Sequence, residues 1–283
     1  MKLVLTLSCP DRPGIVHAVS GFLFEQGGNI VEAAQFEDAT TGLFFMRVAF
    51  DVGNDEAPDA AEVARRFALL AADFGMRACF RDARRKVRTL FMVSRHGHCL
   101  NDLLFRWRSG LLPVDLRGIV SNHPDFAALA ASYDVPFHHI PVTAASKPRA
   151  EAQLMDIFET EQAELLVLAR YMQVLSNEMC SRLSGRAINI HHSFLPSFKG
   201  ARPHAMAHER GVKLIGATAH YVTGDLDEGP IIEQDVARAS HAMDEAALTA
   251  LGRDVESLVL ARAVRWHAEH RVLLNGTKTV VFD

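Results

Sequence analysis

Asp82-Ala83-Arg84-Arg85-Lys86-Val87-Arg88-Thr89-Leu90-Phe91-Met92-Val93 is the stretch on which the fold turns. A charged segment leads into an apolar strand, and the rhythm of the sequence changes across that junction. Downstream, short apolar strands expected over 87–93, 114–120, 137–140, 165–169 and 187–190 alternate with helices over 100–108, 124–132, 149–161 and 176–183. Continuous apolar strands separated by helices define a mostly parallel, doubly wound sheet covered on both faces. Added strands at 217–222 and 231–236 and a long helix over 244–269 end the pattern.

Upstream of the junction the order is βαββαβ. A strand over 2–9 reaches the turn Asp11-Arg12-Pro13-Gly14. A helix over 15–26 stops at Gly27-Gly28, and strands 29–37 and 43–52 form a hairpin around Asp38-Ala39-Thr40-Thr41-Gly42. A helix over 59–74 ends at Gly75, and a strand over 76–81 closes the module. This order builds an antiparallel, ferredoxin-like sheet with both helices on one face. The fold class is therefore α/β, with domains expected at 1–83 and 84–283.

Composition narrows the function. The 283 residues are 49% hydrophobic and 23% charged, as in a globular protein with a sizeable core. A net charge of -4 argues against a general nucleic-acid binder. No apolar run approaches the roughly 20 residues of a membrane-spanning helix. The N-terminal run Met1-Lys2-Leu3-Val4-Leu5-Thr6-Leu7 lacks a following small-residue cleavage site and reads as a strand. Cys9, Cys79, Cys99 and Cys180 are scattered without CxxC spacing, so reduced thiols in a cytoplasmic protein are expected.

Chemistry concentrates at the expected carboxyl ends of strands, where doubly wound sheets bind ligands. One such loop is Arg170-Tyr171-Met172-Gln173-Val174-Leu175. A second follows Asn189-Ile190-His191, whose amide and imidazole share one side of an extended backbone at i, i+2 spacing and can converge on one carbonyl oxygen. The third, Thr223-Gly224-Asp225-Leu226-Asp227-Glu228-Gly229-Pro230, is a carboxylate-rich turn that could return one acid to that pair. Each alone reads as ordinary packing or a solvated turn; three in order at strand ends point to acyl-group chemistry. His191, His204, His208, His220 and Asp227 offer an alternative metal-ligand set, but without an HExxH motif or other metal signature no metal is expected.

Two resemblances follow from these motifs. In the first module, Asp11-Arg12-Pro13-Gly14-Ile15 opens a helix, with Pro13 expected in the first helical turn and Asp11 capping the free amides, and Gly27-Gly28-Asn29-Ile30 ends it. The module resembles an ACT domain. That resemblance implies a regulatory amino-acid site around Asp11, Gly14, Gly28 and Asn29, with glycine or methionine as effectors to test first. It also implies a homo-oligomer, a dimer or tetramer. Over roughly 87–283 the chain resembles the folate-dependent formyltransferase fold, through Asn189-Ile190-His191, Ser193-Phe194-Leu195-Pro196, His220-Tyr221-Val222 and Leu226-Asp227-Glu228-Gly229-Pro230. The resemblance implies a catalytic triad of Asn189, His191 and Asp227, with His220 and His192 as candidate supporting residues. It also implies a loop of Tyr171, Met172, Gln173, Val174 and Leu175 that holds a pterin ring, chiefly through backbone groups.

The acceptor divides this family. In glycinamide ribonucleotide formyltransferases a Gly-rich turn after the first strand cradles a phosphate. Here that turn is Ser94-Arg95-His96-Gly97-His98-Cys99-Leu100-Asn101, with one Gly and bulky side chains. His192 also stands where the transferases carry a proline. With the fused ACT-like module, these departures resemble the formyltetrahydrofolate deformylase family over essentially the whole chain. The resemblance implies hydrolysis of 10-formyltetrahydrofolate to tetrahydrofolate and formate, balancing the one-carbon folate pool and supplying formate for purine synthesis, without a further cofactor.

In the expected mechanism Asp227 orders or deprotonates a water, and Asn189 and a protonated His191 stabilise the oxyanion. Proximity to Asp227 would raise the pKa of His191. Arg202-Pro203-His204-Ala205-Met206-Ala207 departs from the Pro-Tyr-His-Gln-Ala expected on the acceptor side. Alternative readings are formyl transfer to an amine such as glycinamide ribonucleotide, or an amino-acid sensor on an inactive enzyme domain.

Overall fold

The computed structural model describes residues 1–53, 59–195 and 203–283, with 203–205 as backbone only. The chain folds as two compact units.

The first unit contains β1 (Lys2–Pro10), α1 (Ile15–Glu25), β2 (Gly28–Asp38), β3 (Leu43–Val52), α2 (Ala60–Phe74) and β4 (Arg77–Asp82). The strands form an antiparallel sheet ordered β2-β3-β1-β4. Strand alternation sends Leu3, Leu5 and Leu7 of β1 and Met46, Val48 and Phe50 of β3 to one face. There they pack with Val19 and Leu23 of α1 and Val63 and Phe67 of α2. The expected βαββαβ module is present. Its first cap differs from the expectation. Gly14, at φ +95°, is the N-cap of α1 and no side chain caps the helix. Pro13 thus precedes the helix, and Asp11 makes its contact through its backbone N–H, which donates to the Gly42 carbonyl at 2.9 Å. By contrast, Asp59 caps α2 by accepting from Glu62 N–H at 2.7 Å.

The second unit contains β5 (Val87–Val93), α3 (His98–Arg108), β6 (Val114–Ser121), α4 (Ala127–Ser132), β7 (Phe137–His139), α5 (Lys147–Thr160) and β8 (Leu165–Leu168). It continues with α6 (Asn177–Arg182), β9 (Ala187–His191), α7 (Pro203–Arg210), β10 (Leu214–Tyr221), β11 (Ile231–Arg238) and α8 (Glu245–Ala268). The sheet order is β11-β10-β9-β8-β5-β6-β7. Strands β9, β8, β5, β6 and β7 pair in parallel, while β10 and β11 are antiparallel. Strand order reverses between β5 and β8, so the loops leaving those strands flank a crevice at their carboxyl ends.

The chain does not end in the second unit. Beyond α8, β12 (Val272–Asn275) and β13 (Lys278–Val281) form a two-stranded ribbon. Residues 269–275 and 280–283 belong to the first unit, which the boundaries expected at 1–83 and 84–283 do not include. Val280 and Phe282 bury Phe45 on the sheet face opposite α1 and α2. Arg271 reinforces the attachment by donating to Glu32 Oε1 at 2.8 Å and to the Phe282 carbonyl at 2.8 Å. Among the described residues no helix is long and apolar enough to cross a membrane.

Candidate active site

The antiparallel pairing of β9 with β10 assembles the polar centre. Asn189 lies opposite His220 and His191 opposite Thr218. His220 Nδ1 is 2.9 Å from the Tyr221 carbonyl, which can only accept, so Nδ1 carries a proton. In the neutral ring Nε2 is then an acceptor, and Asn189 Nδ2 donates to it at 3.3 Å. An amide NH₂ has two hydrogens, so one remains for a ligand.

The acid comes from the turn between β10 and β11. Asp227 Oδ2 lies 3.2 Å from His191 Nδ1 and Oδ1 lies 3.7 Å from His220 Nε2. Asp227 is left-handed at φ +57°, a conformation Asp tolerates better than most residues. Gly229 lets the turn approach: a Cβ there would sit 1.7 Å from the Tyr221 carbonyl oxygen. Burial pushes the Asp227 carboxyl up. The hydrogen bond from His191 outweighs that, the His220 ring 3.7 Å away adds to it, and the carboxyl is held well below the usual carboxylate range.

His191 is 5% exposed, and its Nε2 is buried without a protein partner among the described residues. With Nδ1 bonded to Asp227, Nε2 is the ring atom left to serve a ligand. His192 stacks on it at 4.9 Å between ring centroids. Thr218 was not legible as a site residue. Its Oγ1 donates to the Ser193 carbonyl at 2.9 Å and accepts from Leu195 N–H at 3.1 Å, which pins the segment after His191. Gln234 joins this clamp, donating to Thr218 Oγ1 at 2.9 Å and to the Leu195 carbonyl at 3.0 Å. The sequence signal for Thr218 is a polar residue inside the continuously buried run 215–221.

Asn189, His191, His192, His220 and Asp227 line one cavity of about 250 Å³. Tyr171, Met172, Gln173, Val174 and Leu175 line it too, so the three loops singled out from the sequence meet there. Leu168, Val222 and Leu226 add apolar wall. Burial first, then the Glu151 carboxylate, pushes the Tyr171 phenol up to about 12, so it remains a neutral donor. The loop is fixed by Ser94 at the end of β5. Met172 N–H donates to Ser94 Oγ at 2.9 Å, and that hydroxyl donates to Asn122 Oδ1 at 2.7 Å.

Other expectations fall elsewhere. Pro196, Arg202 and the side chains of Pro203, His204 and Ala205 lie outside the described residues. His208 is exposed on α7. Asp11, Gly14, Gly28 and Asn29 lie in the first unit; the backbone at Gly28 is tight, since a Cβ there would meet the Leu23 carbonyl oxygen at 2.8 Å. Among the described residues, ligand atoms of His98, Cys99 and Glu256 lie within 4.8 Å of one another. Their chemistry does not suit a metal. Arg170 Nε is 3.3 Å from Glu256 and supplies its counter-charge, while burial, then Glu256, pushes the Cys99 thiol far up and keeps it protonated.

A doubly wound sheet with the Asn189 amide, three imidazoles and the Asp227 carboxylate around one cavity defines an acyl-group enzyme domain, here joined to a ferredoxin-like module. Residues 87–264 match the formyl transferase family and residues 3–68 the ACT domain. The chain is 53% identical to the formyltetrahydrofolate deformylase of Corynebacterium sp. (strain P-1), covering 99% of this chain and 98% of that one. It is 45% identical to the Bacillus subtilis deformylase over 99% of this chain and 93% of that one. A Burkholderia mallei deformylase crystal structure superposes with a TM-score of 0.95 at 53% identity, over 100% of this chain and 99% of that one. A Symbiobacterium toebii glycinamide ribonucleotide transformylase matches less, with a TM-score of 0.66 at 28% identity over 72% of this chain and 97% of that one. The chain belongs to the formyltetrahydrofolate deformylase family.

Proposed function

We propose that this protein hydrolyses 10-formyltetrahydrofolate to tetrahydrofolate and formate, with Asn189, His191 and Asp227 as its catalytic residues and no metal or further cofactor. The observation that carries the reading is the buried His191 Nε2, without a protein partner among the described residues, in a ring whose other nitrogen is held by Asp227. Water adds to the formyl carbon, and negative charge develops on the formyl oxygen. His191 Nε2–H and the second amide hydrogen of Asn189 stabilise that charge. The carbon–nitrogen bond then breaks, and the folate nitrogen takes the proton that the water has lost. A carboxylate with a depressed pKa is a weak base, so Asp227 orders the water and stabilises the imidazolium rather than holding the proton. The apolar loop from Tyr171 to Leu175 suits a flat pterin ring, with backbone groups reading its edge.

Formate release from 10-formyltetrahydrofolate, with and without glycinamide ribonucleotide, tests this reading. Release without the amine supports it; dependence on the amine, or no release at all, overturns it. Asn189→Ala is expected to lower kcat about 10²–10³-fold. Activity that survives exhaustive chelation supports the absence of a metal. The ACT match favours a small amino acid, glycine or methionine, as effector. β2 is an edge strand with exposed Ile30, Val31 and Phe36, which favours a homo-oligomer. Free Cys9, Cys79, Cys99 and Cys180 fit a reducing cytoplasm.

A further inference from the structure

The chemistry above uses no group on α8, yet that helix buries a carboxylate: Glu256 is 2% exposed. Its Oε2 lies 2.9 Å from His98 Nε2 and 3.3 Å from Arg170 Nε. The helix α8, the first residue of α3 and the residue opening the cavity loop after β8 therefore meet at one oxygen. We propose that Glu256 is a positioning residue for folate binding, which holds the Arg170 guanidinium and thereby fixes the backbone of residues 170–175 against the ligand. This rests on the reading of the cavity as a folate site.

Arg170 has a left-handed backbone at φ +64°. A bulky residue keeps that conformation only where its surroundings over-determine it. Two tethers do so here. Along the backbone, Ser94 N–H donates to the Arg170 carbonyl at 3.2 Å, and Met172 N–H donates to Ser94 Oγ at 2.9 Å. At the side chain, the ion pair with Glu256 is the second, and Arg170 is only 12% exposed there. A guanidinium and a carboxylate this far from water each depend on the other for the solvation they have lost. Without the Glu256 charge, the Arg170 head would be driven toward water, and its backbone would relax out of the left-handed region. Tyr171 and Met172, the next loop residues on the cavity, would move with it. Asn189, His191 and Asp227 stand on β9 and the β10–β11 turn, so the chemical step would be spared while binding weakens.

Glu256→Gln keeps the shape and removes the charge. The dissociation constant for tetrahydrofolate and KM for 10-formyltetrahydrofolate should rise together about tenfold, with kcat within about twofold of wild type. Arg170→Gln should do the same, and the double variant should be no weaker than the worse single one, since both act through one contact. Unchanged tetrahydrofolate binding with a lowered Tm would make Glu256 merely structural and overturn the proposal, as would effects that multiply in the double variant. Where Glu256→Gln does not fold, Arg170→Gln decides by itself: it removes the other charge of the pair, and an unchanged KM overturns the proposal. Tetrahydrofolate binding is read without turnover. A wild type that binds it yet releases no formate overturns the hydrolase reading alone, and one that does not bind it overturns both.

Discussion

At Asp227 three facts meet: a left-handed backbone, a carboxylate between two imidazoles, and a pKa held low by them. Asp227→Asn keeps the volume and removes the charge that orients His191. Its kcat should fall about 10³-fold or more, as when the carboxylate of a Ser-His-Asp triad is replaced by its amide. The same pairing has a sign in stability. A carboxyl whose folded pKa is depressed stabilises the fold above its unfolded value, near 3.8, and that stability is lost as pH falls through the folded value. The Tm gap between wild type and Asp227→Asn should therefore be full at pH 6 and close on acidification below about pH 4. A gap that widens with acid would contradict the pairing. Asn189, His191 and Asp227 were legible as a cluster because Asn189 and His191 are polar residues on an otherwise apolar strand and Asp227 lies in a turn bounded by Gly and Pro. Glu256 left a weaker signal: it falls among Gly252, Val255, Val259 and Leu260 on the buried stripe of α8, a carboxylate where the period calls for a core residue. Its partners, His98 and Arg170, are distant in sequence, and no local pattern links them.

Elements were legible wherever a local rule set both ends. β5 runs from Val87 to Val93 as the junction motif implies, and α2 lies between the Asp59 cap and left-handed Gly75, at φ +63°. Asp59→Ala should cost about 1 kcal/mol, seen as a lowered denaturant midpoint with an unchanged slope. The ribbon β12–β13 escaped because four-residue strands carry little periodicity and their partners lie far back in the chain. At the site, the turn from β10 to β11 succeeds through Gly229. Any side chain there meets the Tyr221 carbonyl, one residue beyond His220, whose Nδ1 donates to the same oxygen. Gly229→Ala must therefore displace the turn, His220 or both. It should destabilise by about 1–3 kcal/mol and, because it moves Asp227, lower kcat by at least about 10²-fold. Wild-type kcat in this variant would mean that the carboxylate's position does not matter.

On the scale of the molecule, the first unit is closed by residues that the chain supplies last. A four-stranded sheet with helices on one face leaves its other face to be covered, and Phe45 on that face is 0% exposed. Val280 and Phe282 cover it, each 8% exposed. Arg47 on the same strand is 4% exposed, and its charge is met by Glu32 at 3.1 Å and by the Glu269 carbonyl at 3.1 Å. Arg271 shares Glu32, so the C-terminal segment contributes both an apolar lid and a second cation to that carboxylate. These terms predict different magnitudes. Phe282→Ala removes buried apolar surface and opens a cavity over Phe45, and should cost about 3 kcal/mol. Arg271→Gln breaks an ion pair whose carboxylate is 40% exposed, so screening reduces its cost to about 1 kcal/mol. Denaturant titrations of both variants, followed by a probe of the first unit, should rank them in that order. A larger loss from Arg271→Gln than from Phe282→Ala would show that charge, not burial, closes the sheet.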